Sequence, residues 1–186
     1  MRIIAGKARR LNLKTLEGLQ VRPTTDRIKE TLFNIIQNDI AGCNFLDLFS
    51  GSGAIGLEAA SRDAKMVYLV ESSSKAQSII EENIAHTKLY DNTKLIKRDF
   101  RVAISELSKK ISFDIIFADP PYKDKLEEQI LDTIYESDIL KKDGQLIIEA
   151  DLDTDFEFAN KHHFTVIKEK IYKTNKHVFL VKSEES

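Results

Sequence analysis

Asp119-Pro120-Pro121-Tyr122 puts a carboxylate, a stiff backbone and an aromatic face into four residues. It follows the apolar run Phe113-Asp114-Ile115-Ile116-Phe117-Ala118, which reads as a buried strand. The carboxyl end of such a strand is where open α/β sheets bind ligands. These residue types suit work on a planar amine. An exocyclic base amine is a poor nucleophile because its lone pair is delocalised into the ring. The Asp119 side chain and the Pro120 carbonyl offer two acceptors for its N–H groups and help the nitrogen pyramidalise. Two prolines limit backbone freedom and bias the preceding residues toward extended conformations. The acceptors are thereby preorganised. Tyr122 adds a ring for the base to stack on, a contact worth ~1–3 kcal/mol. A rigid loop with an incidental aromatic is the competing reading of Pro-Pro-Tyr taken alone. The strand before it and a glycine loop upstream favour a site.

That upstream loop is Asp47-Leu48-Phe49-Ser50-Gly51-Ser52-Gly53, again after an apolar stretch. Gly51 to Gly56 fits G-x-G-x-x-G, a pattern also found in dinucleotide-binding enzymes and weak by itself. A ligand-free strand-to-helix turn is its bland alternative. Asp47 discriminates between ligands: a carboxylate here repels a pyrophosphate and attracts the ammonium of a methionine moiety. Loop and helix amides are then expected to face the methionine carboxylate. S-adenosylmethionine therefore fits better than NAD. Glu71 ends the next expected strand, where an acid accepts from ribose hydroxyls. Asp99 ends a third and is placed to accept from an adenine amine, with Phe100, and Phe49 from the loop, beside the cofactor. One strand-end acid reads equally well as a cap; three in succession are harder to dismiss. Together the two loops point to methyl transfer onto a nucleobase.

The elements that must position these loops alternate β-rich runs with helical patterns, as in a parallel α/β sheet. Strands are expected at 44–48, 66–70, 94–97, 113–118 and 145–150, with a closing antiparallel pair at 164–168 and 177–182. Helices are expected at 54–61, 74–87, 101–110 and 125–140. Ile28, Leu32, Ile35 and Ile36 share one face of a lead helix that Thr24 or Thr25 can cap. Lys29 and Glu30 read as solvated charges on it. The plan is an α/β Rossmann-like domain over 23–186, mostly parallel and seven-stranded with helices on both faces, preceded by a short β-rich arm over 1–22.

The chain has 186 residues, 42% hydrophobic and 31% charged, which suits one soluble domain. No apolar run approaches the ~20 residues of a membrane span, and the first residues lack the apolar core of a secretory signal. A single cysteine, Cys43, allows no internal disulfide and fits a reducing cytoplasm. It reads as a small packing residue. The histidines show no metal-ligand spacing, and His162 and His163, if on a strand, point to opposite faces. No metal is expected. Net charge is −2, but the first 22 residues carry Arg2, Lys7, Arg9, Arg10, Lys14 and Arg22 against Glu17 alone. Charge alone supports a phosphate-binding footprint and a solvated, frayed terminus equally.

These motifs resemble the amino-methyltransferase branch of the class I S-adenosylmethionine-dependent methyltransferases. Within it the chain is similar to the small bacterial 16S ribosomal RNA guanine-N2 methyltransferases of the RsmD type. Its most specific segment is Arg22-Pro23-Thr24-Thr25-Asp26-Arg27, continuing to Glu30-Thr31-Leu32-Phe33. The opening Arg2-Ile3-Ile4-Ala5-Gly6-Lys7 with Arg9 and Arg10 resembles that family's N-terminal hairpin. The resemblance implies that Asp119, Pro120, Pro121 and Tyr122 form the catalytic loop. It implies that Thr24, Thr25, Asp47, Phe49, Gly51, Gly53, Glu71, Asp99 and Phe100 hold S-adenosylmethionine. Arg2, Lys7, Arg9, Arg10 and Arg22 would meet ribosomal RNA, within a small subunit or its assembly intermediate, and the protein would act as a cytoplasmic monomer. Ser50 and Tyr122 stand where many members carry Ala and Phe, which preserves size and stacking. A DNA adenine-N6 methyltransferase uses the same tetrapeptide but generally needs an added target-recognition region. A silent RNA-binding module and an NAD-linked oxidoreductase are the rivals from other classes.

Overall fold

The short apolar runs become strands because β-branched and aromatic residues fit a pleated, covered surface. A computed structural model describes residues 1–16, 25–121 and 126–184, in two compact units, Met1–Phe100 and Arg101–Ser186.

In the first unit, helix α1 (Asp26–Ile35) starts at Thr25, whose Oγ1 accepts from the Ile28 N–H at 3.3 Å. Thr25 is thus a cap; Thr24 lies outside the described residues. A separate short helix α2 (Gln37–Ile40) follows. Strand β1 (Asn44–Asp47), helix α3 (Ala54–Ser61), strand β2 (Met66–Val70), helix α4 (Ser74–Thr87) and strand β3 (Thr93–Ile96) complete it. Both β1 and β3 pair with β2 in parallel. Every residue of α3 is buried, so its apolar residues surround the helix instead of forming a stripe. It packs on β1 and β2, closely enough that a methyl on Gly56 would sit 2.4 Å from Leu69 Cδ2.

The N-terminal arm is a hairpin docked on α3. Ile3 donates to Leu11 O and Arg10 to Ile3 O, each at 2.9 Å, with one antiparallel bridge between Arg2 and Asn12. At Gly6 the backbone turns at φ 81°, and an added Cβ would lie 1.8 Å from the Ser61 carbonyl oxygen. No larger residue fits that approach. Residues 1–14 are therefore pinned, which removes the frayed-terminus reading for them; 17–22 lie outside the described residues.

In the second unit, α5 (Phe100–Leu107) crosses the boundary and leads to β4 (Phe113–Ala118), α6 (Glu127–Ser137), β5 (Leu140–Ala150), β6 (Phe164–Ile171) and β7 (Lys176–Lys182). Strand β4 is almost continuously buried, as a strand covered on both faces must be. Parallel pairing joins β4 to β5, while β7 runs antiparallel to both β5 and β6. Strand β5 begins at Leu140, earlier than its β-rich core, because Leu140 pairs Phe113 before the register shifts. Lys168, Glu169 and Lys170 are exposed on β6, charges that suit an edge strand. His162 and His163 are not on a strand: His162 ends a 3₁₀ turn (Glu157–His162), and its ring nitrogens meet Asp132 and Glu128 of α6 at 2.5 and 3.0 Å. His163 stacks on Tyr135, centroids 4.0 Å apart.

The strand order is β3-β2-β1-β4-β5-β7-β6 in one seven-stranded sheet. It is mostly parallel with an antiparallel closing strand, the Rossmann-like arrangement of class I methyltransferases.

Candidate active site

Asp47 ends β1 with 1% of its surface exposed. Its Oδ2 accepts from the Gly56 N–H at 3.1 Å, in the first turn of α3. Its Oδ1 is buried and has no hydrogen-bond partner among the described residues. Burial pushes this carboxyl from 3.8 up to about 7; the Glu71 charge adds to the shift, while the Gly56 N–H and, more weakly, the nearby Phe49 N–H and Ser50 hydroxyl oppose it. A buried acceptor without a donor is costly. A cation seated at Oδ1 would remove that cost and restore the charge.

The loop beyond Asp47 is held by acceptors of the protein itself. Ser50 Oγ donates to Asp47 O at 3.0 Å and Gly53 N to Ser50 O at 2.6 Å. Gly51 N donates to Glu71 Oε2 at 2.9 Å. Gly53 takes φ 80° at the mouth of α3, which glycine adopts without strain. An added Cβ on Gly51 would meet nothing within 4 Å, so the loop faces open space there. Three of its amides, on Gly51, Gly53 and Gly56, serve Glu71, Ser50 and Asp47. The anion at the α3 N-terminus is Asp47 itself. A pyrophosphate would have to displace it, which disfavours NAD more strongly than charge repulsion did.

Glu71 directly follows β2 and is half-buried. Its Oε1 accepts from Ser73 N at 2.8 Å and its Oε2 from Gly51 N. Each oxygen keeps a second lone pair, so the residue braces the glycine loop and still has acceptor capacity. Asp99 is half-buried between β3 and α5. Phe100 is buried and packs on half-buried Phe49, centroids 5.2 Å apart and tilted by 44°. The two rings therefore stand together in the first unit, with the three acids. Thr25 is exposed and spends its hydroxyl on the helix cap.

In the second unit, Asp119 directly follows β4 and is half-buried, Pro120 is buried and Pro121 exposed. The carboxylate and the first proline are thus set at a strand's carboxyl end as expected. Tyr122 lies outside the described residues, as does Arg22.

On the arm, three cations are already paired: Arg2 with Asp26 at 3.3 Å, Lys7 with Asp63 at 2.6 Å, and Lys14 with Glu82. Arg9 and Arg10 are exposed and have no side-chain partner among the described residues. The backbone of Arg10 is left-handed, φ 73°.

Residues 1–181 match the family described as "Conserved hypothetical protein 95". The chain belongs to that family. YlbH of Bacillus subtilis, a candidate rRNA methyltransferase, is 36% identical over 152 residues, 81% of this chain and 83% of that protein. The ribosomal RNA small subunit methyltransferase D of Haemophilus influenzae is 33% identical over 171 residues, 91% of this chain and 88% of that protein. The solved structure of a candidate methyltransferase from Escherichia coli superposes with a TM-score of 0.83 at 28% identity, covering 100% of this chain and 99% of that one. The resemblance to the RsmD-type family, drawn from the motifs, therefore holds.

Within this family member, sequence reasoning misplaced Lys29 and passed over its partners. Lys29 is fully buried, not solvated. Its ammonium lies 3.1 Å from Glu58 Oε2 and donates to Arg2 O at 2.6 Å. Burial lowers the lysine's pKa and the Glu58 charge opposes that shift. Glu58 also accepts from Ile4 N, Ala5 N and Arg62 Nε at 2.8, 3.0 and 2.8 Å. The signal available was one lysine beside the apolar face of an amphipathic helix, and a lone glutamate in an otherwise apolar one. A second buried network joins β5 to β7: His177 Nε2 meets Glu149 Oε2 at 3.0 Å, Asn175 donates to Glu149 Oε1 at 2.6 Å, and Tyr172 Oη meets His177 Nδ1 at 3.1 Å. Among the described residues no cluster of His, Cys, Asp or Glu could hold a metal ion, and no helix is long and apolar enough to cross a membrane.

Proposed function

We propose that this protein transfers a methyl group from S-adenosylmethionine to the exocyclic N2 amine of a guanine in small-subunit ribosomal RNA. The observation that carries the reading is Asp47: a buried carboxylate beside a glycine loop, one of whose oxygens has no hydrogen-bond partner among the described residues. The ammonium of a methionine moiety supplies that donor and its charge. A nicotinamide dinucleotide offers no cation there. Glu71 keeps acceptor capacity for ribose hydroxyls, Asp99 is the acid for the adenine amine, and Phe49 with Phe100 supply apolar surface for the ring. Thr24 and Thr25 are the remaining candidate cofactor contacts.

When bound, S-adenosylmethionine contributes an electrophilic methyl on a sulfonium. The protein's part is to ready the amine. Asp119 and the Pro120 carbonyl accept its two N–H bonds, Pro121 keeps the turn extended, and Tyr122 stacks on the base. A base in a stack must leave it to be held this way, and unpaired RNA segments release bases most easily. Asp119 takes the proton the nitrogen loses. The sulfonium is a good leaving group, so a stronger base is unnecessary.

The relatives named for ribosomal RNA supply the substrate class. Exposed Arg9 and Arg10, with Arg2, Lys7 and Arg22, provide cations for its phosphates. The substrate is RNA within a small ribosomal subunit or an assembly intermediate, and the protein acts as a cytoplasmic monomer. Mass spectrometry of ribosomal RNA nucleosides from cells with and without this protein tests all of this together. One N2-methylguanine lost from small-subunit RNA is the expected result. Unchanged RNA with a lost N6-methyladenine in DNA would favour the adenine reading instead.

A further inference from the structure

Asn83 of α4 is 1% exposed and joins two regions to which separate roles are given above. Its Oδ1 accepts from Lys14 N at 2.9 Å, and its Nδ2 donates to Lys14 O at 3.0 Å. The same Nδ2 donates to Ser52 O at 2.9 Å. Lys14 lies at the end of the arm hairpin, where Leu13 N donates to Met1 O at 2.9 Å. Ser52 lies between the two loop glycines. One amide therefore holds the backbone of the RNA arm and that of the cofactor loop at once. Its orientation is fixed: reversing it would aim Oδ1 at two carbonyls and Nδ2 at an N–H.

No other side chain makes this span among the described residues. Glu58 and Ser61 also hold the arm, but from the body of α3. Beside Asn83 opens a cavity of about 470 Å³, lined among others by Asn12, Lys14 and His86. Lys14 lines that cavity, and its backbone is bonded to the amide that also holds the Ser52 carbonyl.

We propose that Asn83 is a positioning residue that couples RNA seating on the arm to cofactor binding in the glycine loop. The proposal rests on the function given above. It requires that RNA tighten the cofactor and, by linkage, that the cofactor tighten RNA by the same factor.

The test is equilibrium dialysis of labelled S-adenosylhomocysteine, which cannot transfer a methyl group. It is run with and without saturating small ribosomal subunits from cells lacking the protein. In the unaltered protein the two dissociation constants should differ by about fivefold or more. Asn83→Asp keeps size and the acceptor but loses both donors, and the ratio should fall to near one while each ligand still binds. If that variant fails to melt cooperatively, Asn83→Ala, which buries no charge, carries the test. Neutralising Arg9 and Arg10 should weaken subunit binding and lower the ratio as well, because the arm then no longer seats the RNA. A ratio near one in the unaltered protein, or an undiminished ratio in the folded variant, overturns the coupling. Unaltered protein that binds cofactor but no subunits overturns the RNA reading as well.

Discussion

Asp47 and Glu58 are buried carboxylates eleven positions apart, one at the mouth of the glycine loop and one inside α3, and they differ in a single respect. Glu58 is saturated: two arm amides, an ammonium and a guanidinium surround its oxygens. Asp47 has one oxygen served and one buried without a hydrogen-bond partner among the described residues. A buried acid whose acceptors are all filled acts as structure, here as the clasp between arm and body. A buried acid left short of a donor is tolerated when something from outside completes it. On the function proposed, the distinction between scaffold and ligand site in the first unit is a matter of satisfied valence, not of residue type or depth.

The largest expected effect breaks the saturated member. Glu58→Ala leaves the Lys29 ammonium buried without its counter-ion and frees the Ile4 and Ala5 N–H groups. Removing one partner of a buried pair costs about 3–5 kcal/mol. Urea denaturation should show a loss of that order, with hydrogen exchange in 2–14 accelerated. Replacing Lys29 and Glu58 together by methionine should recover part of it, because no charge is then stranded. A loss under 1 kcal/mol for the single change would mean that the arm is held by its hairpin alone.

Asp47→Asn is the counterpart and should show the opposite signature. It keeps an acceptor for the Gly56 N–H and removes a buried charge that repels Glu71, so stability at neutral pH should hold or rise. Cofactor affinity should drop by about 1.5–3 kcal/mol, the range for a hydrogen bond to a charged group. The pH dependence sharpens the contrast. The folded carboxyl holds its proton up to about 7, against 3.8 ordinarily. Between those values the folded state binds a proton that the unfolded chain has lost, so stability declines as pH rises across the window and is level above it. Cofactor binding requires the ionised form, so its affinity should rise toward pH 7 and level off near pH 8. Calorimetric titration at several pH values checks both; a flat affinity profile in the unaltered protein would remove the ammonium from Oδ1.

The fold was legible because its periodicity is strong. The strands at 66–70 and 113–118 and the helices at 54–61 and 74–87 have the bounds their patterns indicate. Position within a motif was legible too: of Asp47, Glu71, Asp99 and Asp119, three stand at strand ends. Asp99 is the exception among those four: β3 ends at Ile96, and Asp99 directly precedes α5, the position of a helix cap. What the sequence hid was partnership. Lys29 reads as solvated because a lysine normally is, and only tertiary packing brings Glu58 to it from 29 positions away. Asn83 carries no motif; its role arises because α4 runs beside both the arm and the loop. The glycine amides look free in a pattern and are engaged in three dimensions, since Glu71, Ser50 and Asp47 reach them first.

Glu71 falls between the two extremes and should give the smallest effect. Both its oxygens accept a backbone N–H, as in a saturated acid, yet it is half-exposed and keeps spare lone pairs, as in a ligand site. Glu71→Ala would lose both roles at once and could not separate them. Glu71→Gln keeps one acceptor and turns the other position into a donor. If that donor faces Gly51 N, the brace fails and the loop loosens. If it faces Ser73 N, the brace on Gly51 stands, and the Ser73 bond and one ribose acceptor are lost. Cofactor affinity should fall by about 1 kcal/mol, roughly one hydrogen bond. Comparing S-adenosylhomocysteine with its 2′-deoxy analogue decides the cause. A ribose role predicts that the variant discriminates less between the two ligands than the unaltered protein does. A pure brace predicts equal weakening of both.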